Sequence, residues 1–200
     1  MVPLANMLLG EIIYGGLGTG LYGIVMIALV AVFLGGLMIG RTPSYLGKKL
    51  GAGEIKMIAL YALITPAVVL LLSALALTTK AGLAGIGTNS GQHGLTEVIF
   101  AYASAMANNG QSMGSLNADS VFYNVTTAIA MLAGRYGLAA LALGLAGRCA
   151  AQRRLAITEG SLPSDNVAFG ALVFATVLVV GGLNFLPALS LGPISEMFVR

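Results

Sequence analysis

The chain has 200 residues, 58% of them apolar and only 8% charged, with a mean hydropathy of +0.92. A water-soluble domain carries about 25% charged residues, so there is too little charge here to cover a water-facing surface, and the composition excludes an ordinary soluble globule in favour of a lipid-embedded protein. A single cysteine excludes a disulfide within the chain, and the basic residues behind the net charge of +3 gather in two short segments, a topology signal rather than a nucleic-acid-binding face.

Residues 1–11, "MVPLANMLLGE", carry no basic segment ahead of an apolar run, so no cleavable signal is expected, and they read as an outer lead-in. The first uncharged run, 12–40, has its apolar heart at 21–39. A basic loop follows, "RTPSYLGKKLGAGEIK", with Arg41, Lys48, Lys49 and Lys56, and Pro43 as a turn former. The second run is 57–79 and the third 121–145, the latter apolar except for Arg135. Arg148, Arg153 and Arg154 mark a second basic loop, punctuated by Pro163, and the last uncharged run is 166–195, centred on 168–186. Each run is near the ~20 residues that cross ~30 Å of hydrocarbon, which predicts four spanning helices. The positive-inside rule assigns 41–56 and 148–165 to the cytoplasm, and both chain ends and the connection 80–120 to the outside. The 28 glycines suit closely packed membrane helices.

The outer connection is the unusual part. It opens with "KAGLAGIGTNSGQHG" and continues as "LTEVIFAYASAMA", helix-like but too short to span. A polar, uncharged, glycine-centred patch follows: Asn108, Asn109, Gly110, Gln111 and Ser112. The 21 residues from 98 to 118 hold no charge. Two readings stay open on composition: a loop lying on the outer surface, or a half-helix over 95–107 that dips into the membrane and returns. The second is tolerated only where the irregular backbone is buried in protein or lines a water-filled cavity. In that case the helix would point its partly negative end inward. Gly110 would adopt backbone angles closed to other residues, and carbonyl, amide and hydroxyl oxygens would replace the water shell of a monovalent cation. A ring of carboxylates would suit a divalent ion better. A faint internal echo, an approach, a span and a closing Gly-Arg pair, relates 1–41 to 112–148.

"GRTPSYLGKKL" at 40–50, "HGLTEVIFAYASAMANNGQS" at 93–112, "GRYG" at 134–137 and "LPALSLGPISE" at 186–196 fall in order along essentially the whole chain. With these motifs the sequence resembles the potassium-binding subunit (KdpA) of the Kdp-type potassium-importing ATPase. The resemblance implies a four-fold pseudo-repeat of helix–pore loop–helix units, similar to potassium channels. Such a subunit takes potassium at an external filter and passes it through an intramembrane tunnel to a P-type pump subunit. It also implies that this chain matches only the C-terminal part. Residues 1–56 would end the third repeat, 57–147 would form the fourth, and 148–200 would hold a cytoplasmic loop and a terminal helix. Three filter strands would lie outside the chain, which alone could not close a filter.

Site residues follow from the resemblance. Gly110 matches the filter glycine, with Asn108, Asn109, Gln111 and Ser112 as its neighbours; the family often has a smaller residue at Gln111. Arg135 would sit below the filter, where a fixed positive charge repels a cation running straight through and diverts it into the tunnel. A mid-membrane arginine is expensive and faces a cavity or a partner; a purely packing role is the alternative. Glu11 is either a cation-attracting carboxylate near the vestibule or an exposed outer acid. Arg41, Lys48 and Lys49 read as topology anchors, with contact to a partner subunit as the lesser reading for Arg41 and Lys48. His93 opens the short helix and lacks companions for a metal site, Glu97 suits a helix's positive first turn, and Cys149 reads as packing.

The sequence has no Walker lysine loop, no Asp-Lys-Thr-Gly phosphorylation motif, no nucleophile–base pair and no metal cluster. ATP chemistry would belong to another chain. The expectation is an all-α integral membrane protein of four spanning helices and one re-entrant pore helix with its filter loop, in a bacterial or archaeal plasma membrane. It would bind and conduct potassium as the non-catalytic subunit of an ATP-driven importer. No metal other than potassium, no organic cofactor and no nucleic acid is expected. Its partners would be the pump subunit, small accessory membrane subunits, the remaining N-terminal pore repeats and lipid. Two alternatives remain: a non-conducting scaffold, in which 80–120 is a capping loop, and part of a secondary cation transporter. The latter would need a paired ionisable coupling residue within its spans, and only Arg135 is present.

Overall fold

The computed structural model describes residues 2–13, 20–40, 43–87, 93–111, 113–153 and 166–198. Four stretches are long and apolar enough to cross a bilayer: Leu21–Met38, Ala52–Thr78, Val121–Ala151 and Val167–Asn184. The protein is an all-α multi-pass membrane protein. Its helices run in the order α1 (Val2–Ile13), α2 (Gly20–Met38), α3 (Ala52–Thr78), the single turn α4 (Lys80–Leu83), α5 (His93–Ala107), α6 (Val121–Leu132), α7 (Leu138–Ala151) and α8 (Val167–Phe198). Large apolar side chains such as Leu21, Leu63, Leu71, Ile129, Phe174 and Leu183 stand exposed along the spans, as expected of helices whose solvent is as apolar as they are.

Two elements depart from the sequence expectation. The outer lead-in is helical: α1 buries Leu4, Met7 and Leu8, spaced i, i+3, i+4 on one face, and it packs on α2, α5 and α8. The first basic loop contains a two-stranded hairpin, with Ser44 opposite Lys49 and Tyr45 opposite Lys48. Leu46 and Gly47 turn it with positive φ at both positions, +50° and +76°, the backbone signature of a tight two-residue hairpin turn. Lys48 Nζ donates to the Gln152 carbonyl, and the Lys49 N–H to Gln152 Oε1 at 3.1 Å. Tyr45 stacks on Phe169, and the Arg148 guanidinium pairs with Glu54 at 3.0 Å.

α5 has 15 residues, about 22 Å at ~1.5 Å per residue, too short to cross ~30 Å. It is nonetheless the core of the molecule. Val98, Ile99, Phe100, Ala101, Tyr102, Ala103, Met106 and Ala107 are all buried, enclosed by α1, α3, α6 and α8. Lipid supplies little drive to hide apolar surface, so close packing and hydrogen bonds must hold such an element. Thr126 donates to the Phe122 carbonyl at 2.8 Å, which leaves Tyr102 as the donor in its 2.8 Å contact with Thr126 Oγ1. The Tyr123 hydroxyl donates to Gly82 O at 2.9 Å, pinning α6 to the end of α3 and α4.

Pro66 stands inside α3, where it has no N–H to give the carbonyl four residues earlier, that of Ala62. An orphaned carbonyl at membrane depth is expensive. The Asn184 amide of α8 donates to that oxygen at 3.5 Å. A cavity of about 60 Å³ lies beside this contact, between α2, α3 and α8, lined by Met26, Ile58, Tyr61 and Pro66 among others.

Candidate ion-binding turn and its supports

α5 ends at Ala107, as the sequence predicts. The chain leaves it through a Schellman-type cap. The Asn108 N–H donates to Ala105 O at 3.1 Å, and the Asn109 N–H to Ser104 O at 3.3 Å. That cap needs a left-handed residue just past the helix, and Asn108 supplies it at φ +56°; asparagine is among the few non-glycine residues that tolerate the region. Gly110 is left-handed too, at φ +73°, and a Cβ there would meet nothing within 4 Å among the described residues. Backbone conformation, not lack of room, is what calls for glycine at 110.

Both asparagine side chains are engaged within the chain. Asn108 Nδ2 donates to Met106 O at 3.1 Å and to Met131 O, on the neighbouring α6, at 3.3 Å. Asn109 Oδ1 accepts from Ser104 Oγ at 2.5 Å and from the Gln111 N–H at 3.1 Å. The sequence reading had both side chains among the lining groups. The structure turns Asn109 Oδ1 onto two of the chain's own donors, and Gly110 and Gln111 stand exposed. The two asparagine side chains thus shape the turn.

The returning limb is fixed separately. Glu97, 1% exposed, accepts a hydrogen bond from Ser115 Oγ at 2.5 Å. Leu116 bridges Ile86, and the Asn117 N–H donates to Gly85 O at 2.8 Å. Ser120 then caps α6, its hydroxyl accepting from the Tyr123 N–H. Glu97 was expected to serve the first helical turn. It lies beyond that turn and holds the return instead.

Arg135 sits in a π-type wide turn, Ala133–Gly137, that joins α6 to α7. Wide turns of this kind are rare and recur at functional sites. Arg135 is exposed in this chain. Its neighbour Gly134 is buried, and a Cβ at that position would fall 2.0 Å from Met106 O and 3.1 Å from Asn108 Nδ2. Only a glycine lets the wide turn lie against the end of α5, so the structure brings the arginine's turn directly to the turn at 108–111. Glu11 lies in the last turn of α1. Lys48 belongs to the hairpin at the opposite end of the spans. Arg41 and Ser112 lie outside the described residues. Ser104, Ser115 and Gly134 were not singled out from sequence; only the "GRYG" motif hinted at the last. Among the described residues no group of three His, Cys, Asp or Glu could hold a metal ion.

Residues 1–198 match the family model described as "KdpA: Potassium-transporting ATPase A subunit". The chain belongs to the KdpA family. Curated relatives named potassium-transporting ATPase potassium-binding subunit include that of Polynucleobacter asymbioticus, 48% identical over 198 residues, 99% of this chain and 33% of the relative. The Dechloromonas aromatica protein is 49% identical over 199 residues, 100% of this chain and 33% of the relative. That of Methylorubrum extorquens is 48% identical over 198 residues, 99% of this chain and 34% of the relative. The chain thus spans about a third of the length of the KdpA relatives it matches.

Proposed function

We propose that this chain supplies one pore-loop segment of a potassium filter. α5 is its pore helix, dipping into the membrane, and the turn at 108–112 is its filter strand. Residues 57–147 form one complete helix–pore loop–helix unit, 1–56 the end of the preceding one, and 148–200 a closing loop and helix. The carrying observation is the left-handed, unobstructed Gly110 at the end of the most buried helix, with its flanking amides committed to holding the turn. Potassium is the ion because the patch offers neutral oxygen and no carboxylate, which suits a weakly hydrated monovalent cation. Arg135, next to the turn, is a fixed positive charge that opposes straight passage and favours lateral handover to a P-type pump subunit, which hydrolyses ATP. Glu11 attracts cations near the mouth. Arg41 and the hairpin bearing Lys48 face the cytoplasm of a bacterial or archaeal inner membrane, with accessory subunits and the other pore repeats completing the complex.

The test is Gly110→Ala and Gly110→Asp in the complete subunit, assembled with its ATPase partner. Half-saturating potassium for ATP hydrolysis is expected to rise by about tenfold or more, with weaker discrimination against rubidium and sodium. A complex that keeps its potassium affinity and selectivity with either change would make this segment a non-conducting scaffold.

A further inference from the structure

We infer that Asn108 is a positioning residue, not an ion ligand: its side-chain amide latches the filter turn to the wide turn at Ala133–Gly137 that carries Arg135. The inference rests on the filter reading above. Three contacts converge on one point. Asn108 Nδ2 reaches Met106 O, the last turn of its own helix, at 3.1 Å, and Met131 O, two residues ahead of the wide turn, at 3.3 Å. Gly134, inside the wide turn, lies so close to Met106 O that a Cβ would sit 2.0 Å from it. Both partners of the amide are backbone carbonyls, which only accept, so the nitrogen and not the oxygen of the side chain must face them.

A cap alone does not explain this arrangement. The left-handed residue after a helix is ordinarily glycine, and the backbone cap at 108 would form with glycine equally well. What asparagine adds is the bond across to α6. One planar amide bridging two carbonyls on different helices fixes the distance between the end of the pore helix and the wide turn. A shift of either then moves the other, so the filter backbone and the Arg135 charge hold a set spacing.

Two substitutions at one position separate the possible roles. Asn108→Gly keeps the left-handed backbone and removes the amide. Asn108→Asp keeps the shape and an oxygen, but presents carboxylate to two carbonyls. In the complete subunit within its assembled complex, both are expected to raise half-saturating potassium and to reduce potassium-over-rubidium discrimination by roughly tenfold, about one hydrogen bond's worth. Unchanged discrimination in Asn108→Gly means a mere helix cap and overturns the latch. Potassium affinity kept or raised in Asn108→Asp means an oxygen ligand and also overturns it. Should either variant fail to assemble, Gly134→Ala, which leaves Asn108 intact, is expected to move discrimination in the same direction, and a silent Gly134→Ala overturns the latch. Gly110→Ala serves as the control: an effect there without one at Asn108 removes only the latch, whereas no effect at Gly110 removes the filter reading itself.

Discussion

The two ends of this helical bundle are held together by different chemistry. At the turn after α5, neutral amides and hydroxyls do the joining, Asn108 to two carbonyls and Asn109 to Ser104 and Gln111; midway along α3 another amide, Asn184, does the same for the carbonyl that Pro66 leaves without a donor. At the hairpin end, charge does it: Glu54 with Arg148, and Lys48 with the Gln152 carbonyl. The difference follows from solvent. A charge at membrane depth carries a desolvation penalty that a single partner rarely recovers, whereas an amide can be satisfied there at little cost. At the aqueous edge charges are cheap to keep and add little stability. Glu97, earlier in the same helix α5, is the exception: a fully buried acid that accepts from Ser115.

That exception gives the largest expected effect. Glu97→Ala removes the acceptor for Ser115, and the assembled subunit should lose about 2–3 kcal/mol of stability together with potassium selectivity, as expected when a buried hydrogen-bond partner goes and leaves its donor unsatisfied. A thermal midpoint and rubidium discrimination both at wild-type values would contradict a role for Glu97 in holding the return limb. Next comes Asn184→Leu, branched at the same carbon, which leaves the Ala62 carbonyl without its donor. A loss of about 1–2 kcal/mol is expected in denaturant titration of the detergent-solubilised complex, and a gain would mean that packing beside the cavity outweighs that bond.

At the hairpin, Leu46 holds a left-handed conformation at 72% exposure, a strain of about 1–2 kcal/mol in a non-glycine residue. Leu46→Gly should therefore stabilise by up to about 1 kcal/mol, since part of the relief is returned as unfolded-chain entropy. A lower thermal midpoint would show that the leucine is held by a contact outside this chain. A comparably small effect is expected at the ion pair. Arg148→Ala should cost about 1 kcal/mol, because the arginine side chain is 50% exposed while that of Glu54 is only 8% exposed, and the difference should shrink as salt rises. A large, salt-independent loss would erase the contrast between the two ends.

Much of the fold was legible in the chain. Uncharged runs marked four spans to within a few residues, because a segment that crosses lipid has no freedom to carry charge. The end of the short helix at Ala107 was legible as well, and Gly110 could be singled out because only glycine readily takes its backbone angles. α1 was not legible: Leu4, Met7 and Leu8 on one face make a pattern too short to outweigh the glycine-rich stretch after it. The hairpin was harder to read, since Leu46 is a poor residue for its turn and the partners that hold it, Gln152 and Phe169, lie about a hundred residues away.

By itself, then, the sequence determined the solvent, the number of crossings and the place where the chain stops being regular. Those are local properties, set by composition and by the backbone preferences of single residues. Tertiary structure decided what the irregular residues hold. Asn108 meets a carbonyl 23 residues on, Glu97 a hydroxyl 18 residues on, and Gly134 the end of a helix 28 residues back. No periodicity encodes such meetings, because a short polar side chain takes whichever partner the packing of the helices brings within about 3 Å.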